Sequence, residues 1–252
     1  MYNPFSLEGK TILVTGASSG IGKEVAIECS KMGAQVIITG RNEGRLLSTY
    51  SELTGEKEHL YFVADLTSQN EILTMTGEIP VLDGIVHCAG IGISLPFQFC
   101  NQEKVQEVIS SNLGSPIELL YNIIKLKKNT KSGFSVVFVS SIAGPMVSYP
   151  GNSIYSASKA GITGLAKGMA VDLAHKKIRV NCILPGMIET PMVKGLANQV
   201  SQEALDEDKK KYPLGRYGVP KDVAMGAIFL LSEASTWITG TNLVIDGGFT
   251  LQ

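Results

Sequence analysis

Seven short apolar runs recur along the chain, and longer amphipathic or mixed stretches separate them. The runs are rich in β-branched residues and apolar on both alternating faces, as strands are when helices cover both sides of a parallel sheet. They lie at residues 11–16, 35–40, 60–65, 84–90, 135–141, 178–186 and 242–248. This alternation predicts an α/β protein with a doubly wound, seven-stranded parallel sheet and right-handed crossovers.

The segments between the runs carry helix signals. A stripe of apolar side chains at helical spacing occupies 21–32: Ile21, Val25, Cys29 and Met32. Gly33 then stands where a glycine typically follows a helix C terminus. No repeat or linker divides the 252 residues, so we expect one domain, 1–252. The long mixed segment 187–215 follows a strand end and predicts a substrate lid.

Composition excludes several classes of function. The net charge of −1 gives no electrostatic footprint for nucleic acid or an anionic membrane surface. No apolar run is long enough to cross a bilayer, and the N-terminal stretch MYNPFSLEGK lacks the features of a secretory signal. The four cysteines form no CxxC pair and the three histidines have no metal-site spacing. We therefore expect reduced thiols, no metal and a cytoplasmic protein.

A glycine-rich turn, TGASSGIG at 15–22, follows the first strand and opens the first helix. Its glycines are Gly16, Gly20 and Gly22. Glycine permits a sharp turn that brings backbone close to a pyrophosphate, and the helix N terminus attracts the anion. Ser18 and Ser19 add hydroxyl donors. We interpret the turn as the dinucleotide site of a Rossmann fold; the alternative is an ordinary tight strand–helix turn.

The end of the second strand predicts which dinucleotide binds. An acidic residue there suits the ribose hydroxyl of NAD, and a basic residue suits the 2′-phosphate of NADP. Gly40 stands where an acid would, and Arg41 follows, so we expect a preference for NADP(H), with NAD(H) left open. The alternative for Arg41 is a solvated surface arginine. Asp65, after the third strand, either accepts a hydrogen bond from the adenine amino group or caps a helix.

A tyrosine and a lysine stand four residues apart in NSIYSASKAG, residues 152–161. On a helix, Tyr155 and Lys159 share one face, and a nearby ammonium lowers the pKa of a tyrosine from its reference of about 10. That shift favours acid–base chemistry near neutral pH. The small flanking residues leave room for a cofactor and a substrate carbonyl. Such a pair alone is a weak signal, because it occurs by chance on many helices.

Two upstream polar residues strengthen this interpretation. Ser141 ends the fifth strand, where doubly wound sheets place ligands, and its hydroxyl can hold a substrate carbonyl. Asn112 lies in a predicted helix although asparagine has poor helix propensity. That placement indicates a polar task, such as anchoring a water beside Lys159.

Over nearly its whole length the chain resembles the short-chain dehydrogenases/reductases. The motifs in the family's order are TGASSGIG, CAG at 88–90, Asn112, SS at 140–141, YSASK at 155–159, NCILPGMIETPM at 181–192 and TNLVIDGG at 241–248. The resemblance implies a catalytic tetrad in which Tyr155 is the general acid, Ser141 orients the carbonyl, Lys159 anchors the nicotinamide ribose and Asn112 positions a relay water. It implies a cofactor site formed by Gly16, Ser18, Ser19, Gly20, Ile21, Gly22, Arg41, Asp65, Leu66, Cys88, Ala89, Gly90, Tyr155, Lys159, Pro185, Gly186, Ile188 and Thr190.

Two features depart from the family pattern. The family often has Asn-Asn-Ala-Gly after the fourth strand, whereas this chain has His87 and Cys88 before the alanine and glycine. Cys88 lacks the hydrogen bonds of an asparagine side chain, and we interpret His87 as structural rather than catalytic. The spacing from Ser141 to Tyr155 is one residue longer than in relatives, which leaves Ser140 as the alternative carbonyl orienter.

The segments 211–224 and 238–248 resemble most closely 3-oxoacyl-(acyl-carrier-protein) reductases, which implies an acyl-thioester substrate and a carrier-protein partner. The lysines at 127–131 and 176–177 then form either a docking patch for that acidic partner or ordinary solvated helix ends. An apolar-walled pocket is predicted from Met187, Met192, Val193 and Leu196.

Two other functions fit the same pattern. One is a dehydrogenase for a sugar, polyol, steroid or other small hydroxy or keto compound. The other is a non-catalytic NADP-binding sensor or scaffold. The helices of relatives near 101–128 and 152–175 form subunit interfaces, so we expect a homotetramer.

Overall fold

In the computed structural model, residues 2–55, 57–191, 193 and 201–251 are described, and they form one doubly wound domain. Its seven strands are β1 Thr11–Thr15, β2 Gln35–Gly40, β3 Leu60–Val63, β4 Gly84–His87, β5 Phe134–Val139, β6 Ile178–Pro185 and β7 Asn242–Ile245. All neighbours pair in parallel, in the order β3-β2-β1-β4-β5-β6-β7. The predicted fold class is confirmed. Most strands stop before their apolar run does, because the last residues of the run turn into the loops that build the site.

Eight helices in the described part of the chain connect and flank the strands. They are α1 Gly20–Lys31, α2 Glu43–Tyr50, α3 Gln69–Glu78, α4 Gln102–Ile109, α5 Ser115–Lys125, α6 Ser153–Leu173, α7 Gln202–Lys209 and α8 Pro220–Leu231. Gly33 has φ +92° just beyond the C-cap of α1, as its position in the sequence predicts.

Two apolar cores lie on opposite faces of the sheet. Ile85 and Phe138 belong to the core that α3, α5 and α6 complete. Their neighbours Val86 and Val137 belong to the other core, which α1 and α8 complete. Because side chains alternate along each strand, every central strand must be apolar on both faces, which explains the uninterrupted apolar runs.

The strand order reverses at β1, which pairs with β2 on one side and β4 on the other. Connections leave this point in opposite directions, so a crevice opens beyond the carboxyl ends of β1 and β4. The glycine turn occupies the end of β1 and therefore lies at the crevice.

The predicted lid contains α7. Ser201 caps the N terminus of this helix, because its hydroxyl oxygen accepts a hydrogen bond from the Ala204 amide. A bridge between Ile188 and Gly218 joins the two ends of this segment. Met192 and Leu196, predicted to wall the pocket, lie outside the described residues.

None of the helices described here is long and apolar enough to cross a membrane. Within the described ranges, no group of three or more His, Cys, Asp and Glu side chains is arranged to hold a metal ion.

The close contact between the glycine turn and α1 gives a stability prediction. A Cβ on Gly22 would collide with the carbonyl group of Gly16, whereas a Cβ on Gly77 of α3 meets no atom within 4 Å. We expect Gly22→Ala to lower the free energy of unfolding by about 2 kcal/mol or more. Gly77→Ala should raise it by about 0.5–1 kcal/mol. Urea denaturation measures both, and equal effects of the two substitutions would contradict this packing.

Candidate active site

The glycine turn forms the floor of a cleft of about 310 Å³ at the carboxyl ends of β1 to β5. Gly16 has φ +65°, and a Cβ there would stand 2.7 Å from the backbone nitrogen of Ala89. The turn is further fixed by the Ala17 amide, which donates to the Thr39 carbonyl at 3.2 Å. Only glycine permits this close packing of the β1 and β4 loops, so the floor is bare backbone.

Two guanidinium groups lie at one end of this cleft. Arg41 follows β2, and Arg45 lies one turn later on α2, which Asn42 caps by accepting the Arg45 amide at 2.9 Å. Arg41 and Arg45 are both exposed, and both line the cleft. The sequence interpretation missed Arg45, although its spacing of four residues from Arg41 at a helix start was the available signal.

Asp65 lines the same cleft and does not cap a helix. Its Oδ1 accepts the Thr67 amide at 2.9 Å and the Thr67 hydroxyl at 2.8 Å. The pKa of Asp65 is lowered, and the hydrogen bond from the Thr67 amide is the largest cause. The Thr67 hydroxyl and the charge of Arg41 lower it further, and together they outweigh the opposite effect of burial. Ser68 is the N-cap of α3, so the capping alternative is wrong. Asp65 remains ionised, with Oδ2 making no hydrogen bond to the described residues.

Asn112 lies in a five-residue π-helical turn, Ser110–Gly114, between α4 and α5. Its Oδ1 accepts the Ile91 amide at 2.8 Å, and its Nδ2 donates to the Ile91 carbonyl at 3.0 Å and to Ser158 Oγ at 3.1 Å. One side chain thereby ties the β4 loop to α6. Single π turns recur at functional sites, and the poor helix propensity noted from the sequence coincides with this one.

Lys159 is 7% exposed, and its ammonium donates to the Val139 carbonyl at 3.0 Å. The Nζ lies 5.7 Å from the centre of the Tyr155 ring. A Cβ on Gly90 would stand 3.6 Å from this Nζ and 3.0 Å from Asn112 Oδ1. Tyr155, Lys159, Asn112 and the β4 loop therefore meet in one place, as the sequence interpretation expects.

The two serines after β5 have different environments. Ser140 is 4% exposed, and its hydroxyl donates to the Lys159 carbonyl at 2.8 Å, so its proton is engaged within the fold. Ser141 Oγ accepts the Ala143 amide at 3.0 Å, which leaves the hydroxyl proton available. Both serines and Tyr155 line a second cleft. The geometry favours Ser141 over Ser140 as the group that holds a carbonyl.

His87 and Cys88 occupy buried or half-buried positions at the end of β4. The Thr15 hydroxyl accepts the Ala89 amide at 3.1 Å and lies 3.2 Å from His87 Nδ1. Burial, and then the charge of Lys159, lower the pKa of His87 to about 3, so its imidazole is neutral near pH 7. Burial raises the pKa of the Cys88 thiol to about 12. Neither group is suited to acid–base or nucleophilic chemistry, in agreement with the structural interpretation of His87.

The second cleft, of about 630 Å³, adjoins the first at Tyr155 and Thr190, which line both. Three residues expected at the cofactor line this neighbouring cleft instead: Pro185, Gly186 and Ile188. The other residues of the expected cofactor set line the first cleft. Val193 and Met187 line the second cleft, as predicted for the pocket wall.

The lysine clusters lie away from both clefts. They immediately precede β5 and β6, so within one copy of the chain they stand at the amino edge of the sheet, about 20 Å from the strand ends that carry the site. Lys128 is occupied in a structural role, because its ammonium donates to the carbonyls of Gly77 and Ile79. Proximity in the sequence to β5 and β6 therefore does not bring these lysines to the site of a single chain, since the length of each parallel strand lies between them and the clefts.

A cleft across the switch point of a doubly wound sheet, joined to a second cleft at a tyrosine beside a buried ammonium, defines a dinucleotide-dependent oxidoreductase. Comparisons with known proteins agree. Residues 16–250 match the model of a family described as enoyl-(acyl carrier protein) reductase. The chain is 38% identical over 250 residues to the 3-oxoacyl-[acyl-carrier-protein] reductase FabG of Chlamydia muridarum, covering 96% of this chain and 98% of that one.

Solved structures are similar over the whole fold. A Pseudomonas aeruginosa RhlG/NADP active-site complex has a TM-score of 0.91 and 30% identity, covering 99% of this chain and 100% of that one. A putative NAD(P)-dependent gluconate 5-dehydrogenase from Beutenbergia cavernae with bound NADP has a TM-score of 0.89 and 28% identity, with the same coverage. The chain belongs to the short-chain dehydrogenase/reductase family.

The role of Asn112 in holding the site gives a second prediction. We expect Asn112→Leu to lower the free energy of unfolding by about 2–4 kcal/mol, because it leaves the half-buried Ile91 backbone groups and the buried Ser158 hydroxyl without this partner. Asn122 is a matched control: it is 5% exposed, but its side chain bonds only to Glu118 of its own helix. Asn122→Leu should lose about 1 kcal/mol or less. Equal losses in urea denaturation would contradict the bridging role.

Proposed function

We propose that this protein reduces a ketone to a secondary alcohol with NADP(H), and that its substrate is a 3-oxoacyl thioester. The observation that carries the proposal is the junction of the two clefts: Tyr155 lines both, the buried Lys159 lines the first, and Ser141 lines the second. One cleft can hold a dinucleotide and the other a carbonyl compound, with the phenol between them.

The first cleft fits a phosphorylated dinucleotide. Its bare glycine floor admits a pyrophosphate beside the N terminus of α1, and Arg41 and Arg45 suit a ribose 2′-phosphate. Asp65 offers a carboxylate oxygen to the adenine amino group. The cofactor, when bound, supplies the hydride.

The protein supplies position and a proton. In the proposal, the Ser141 hydroxyl donates to the substrate carbonyl oxygen and holds it beside Tyr155, whose hydroxyl delivers the proton. The Lys159 ammonium, close to the Tyr155 ring, stabilises the negative charge that remains on the phenol oxygen. Asn112 fixes the loop that places Gly90 against Lys159. We also propose that Asn112 positions a proton-relay water beside Lys159.

The names of the relative and of the matched family indicate reduction of two different kinds of double bond. The curated relative is a 3-oxoacyl reductase, which acts on C=O, whereas the matched family is described as an enoyl reductase, which acts on C=C. Two hydroxyl donors facing one cleft suit a carbonyl oxygen, so we favour the ketone. The second candidate is a sugar or polyol dehydrogenase, which the similarity to a gluconate 5-dehydrogenase supports.

We also propose that the protein is a homotetramer and works in the cytoplasm. In this proposal an acyl carrier protein delivers the substrate, and the segment 187–215 acts as a lid. Gly164 and Gly168 of α6 have no neighbouring atom within 4 Å of an added Cβ, so another helix can pack closely there. Phe97, Phe99 and Tyr121 are 71%, 65% and 56% exposed, and large apolar side chains left exposed in a single chain support a covered face. Light scattering at micromolar concentration tests the tetramer, and a monomer would refute it.

The arginine pair predicts the cofactor preference. We expect Arg41→Asp to lower the ratio of kcat/KM for NADPH over NADH by about 100-fold, because the 2′-phosphate loses a guanidinium and meets a carboxylate. Arg45→Gln should lower the ratio less, by about tenfold. Lys104→Gln on α4, outside the cleft, is the control and should leave the ratio unchanged. An unchanged ratio in Arg41→Asp would refute the role of Arg41.

The tyrosine predicts the reaction. With acetoacetyl thioester, we expect Tyr155→Phe to slow NADPH oxidation at least about 100-fold while NADPH still binds. Tyr121 and Lys125 of α5 are a matched control, since they form an exposed pair with the same spacing and the ammonium 5.3 Å from the ring. Tyr121→Phe should be fully active.

Parallel assays with other acceptors separate the remaining alternatives. Oxidation of NADPH with crotonyl thioester but not acetoacetyl thioester would favour the enoyl reaction. Oxidation of NADPH with 5-ketogluconate alone, the keto acid that corresponds to gluconate, would favour the polyol candidate. Tight NADPH binding without turnover on any acceptor would favour the sensor.

A further inference from the structure

Three aromatic rings from distant segments form the lid-side wall of the substrate cleft, which is the second cleft described above. The Phe249 ring lies 4.8 Å from the Tyr212 ring and 6.3 Å from the Tyr149 ring, measured between centroids. The Tyr217 ring also packs edge-on against the Tyr212 ring, with 5.4 Å between the centroids. The wall is thereby fixed on two sides and can discriminate between substrates.

Two charged side chains meet this wall, and they are the only charged ones among the described residues that line the substrate cleft. Asp208 of α7 accepts the Tyr217 hydroxyl at 2.7 Å and the Lys211 ammonium at 2.9 Å. The side chain of Asp208 is 35% exposed and that of Lys211 is 64% exposed. Asp208 is the less exposed partner of this ion pair, so water screens its charge less than that of Lys211.

The negative charges of Asp208 and Asp246 affect both phenols of the wall in the same direction. Burial is the largest cause that raises the pKa of Tyr149, and the carboxylates of Asp208 and Asp246 raise it further. Burial also raises the pKa of Tyr212, with the same two carboxylates adding to the shift. Lys159 lines the cofactor cleft, on the other side of Tyr155. The wall that faces the remainder of a bound substrate is therefore electronegative.

We propose that Asp208 makes the substrate cleft select carbonyl compounds that are uncharged next to the reacting ketone, such as esters and thioesters of 3-oxo acids, and reject the free 3-oxo acids. This inference rests on the proposed ketone reduction. A substrate carboxylate would lose its hydration beside a carboxylate that is already half-buried, which is unfavourable. A neutral ester or thioester avoids this repulsion.

A matched pair of substrates tests the proposal. Ethyl acetoacetate and acetoacetate carry the same ketone and differ in the charge at the neighbouring carboxyl group. We expect the intact protein with NADPH to show a kcat/KM at least about 100-fold higher for the ester. Asp208→Asn keeps an oxygen for the Tyr217 hydroxyl and should reduce this ratio about tenfold by raising the rate with the acid.

Two further variants separate local from general effects. Glu207→Gln makes the same charge change on the same helix, but Glu207 is 70% exposed, pairs with Lys210 and lies outside the cleft, so the ratio should not change. Lys211→Met removes the cation and keeps Asp208, so it should widen the ratio about threefold or more.

Several outcomes would overturn the proposal. Equal rates of the unmodified protein with ester and acid would do so. So would an Asp208→Asn variant that loses activity equally with both substrates, since that result indicates a lid-positioning role only. Reduction of neither substrate would instead contradict the ketone reductase function itself, and this inference with it.

Discussion

The burial of the Lys159 ammonium is the constraint on which the site depends. The residue is 7% exposed, and its ammonium forms no ion pair with the described residues; the Val139 carbonyl is its hydrogen-bond partner. A buried cation held by neutral oxygen keeps most of its attraction for further negative charge. That attraction is available to the oxygen of Tyr155, whose ring it approaches. The surroundings must therefore hold Lys159 rigidly, and Ser140 does so by bonding its backbone carbonyl.

The rest of the fold brings the ends of distant strands to this point. The switch in strand order between β2 and β4 opens the first cleft, and the loops after β5 and β6 contribute to the second. Gly16 and Gly90 lack side chains where these loops touch, and Asn112 ties the β4 loop to α6. Packing and chemistry thus use the same residues, so a substitution at the junction is expected to change both stability and turnover.

The strands and the central residues were predictable because they have local signals. Apolar runs of strand length identify the sheet, and Tyr155 and Lys159 are four apart on one helix. That same spacing occurs at Tyr121 and Lys125, which are exposed, so periodicity alone cannot separate the two pairs. The sequence motifs around Tyr155 distinguish the two pairs, and the burial of Lys159 is the structural difference between them.

Other features depend on distances between remote segments and leave no local signal. The choice between Ser140 and Ser141 follows from which hydroxyl bonds the Lys159 backbone. The position of the lysines before β5 and β6 is a second example, because proximity in sequence to a strand does not say which end of the strand is near the site. The meeting of Asp208 and Tyr217 with the aromatic wall brings together Tyr149, residues 208–217 and Phe249, which are far apart in the sequence.

The fate of the transferred hydride tests the central claim most directly. The protein would be incubated with acetoacetyl thioester and NADPH carrying deuterium at both C4 positions, and the product analysed by mass spectrometry and NMR. The account predicts 3-hydroxybutyryl thioester with one deuterium at C3 and a hydroxyl proton from water. Recovery of unreduced thioester, with the labelled cofactor bound but unchanged, would contradict it.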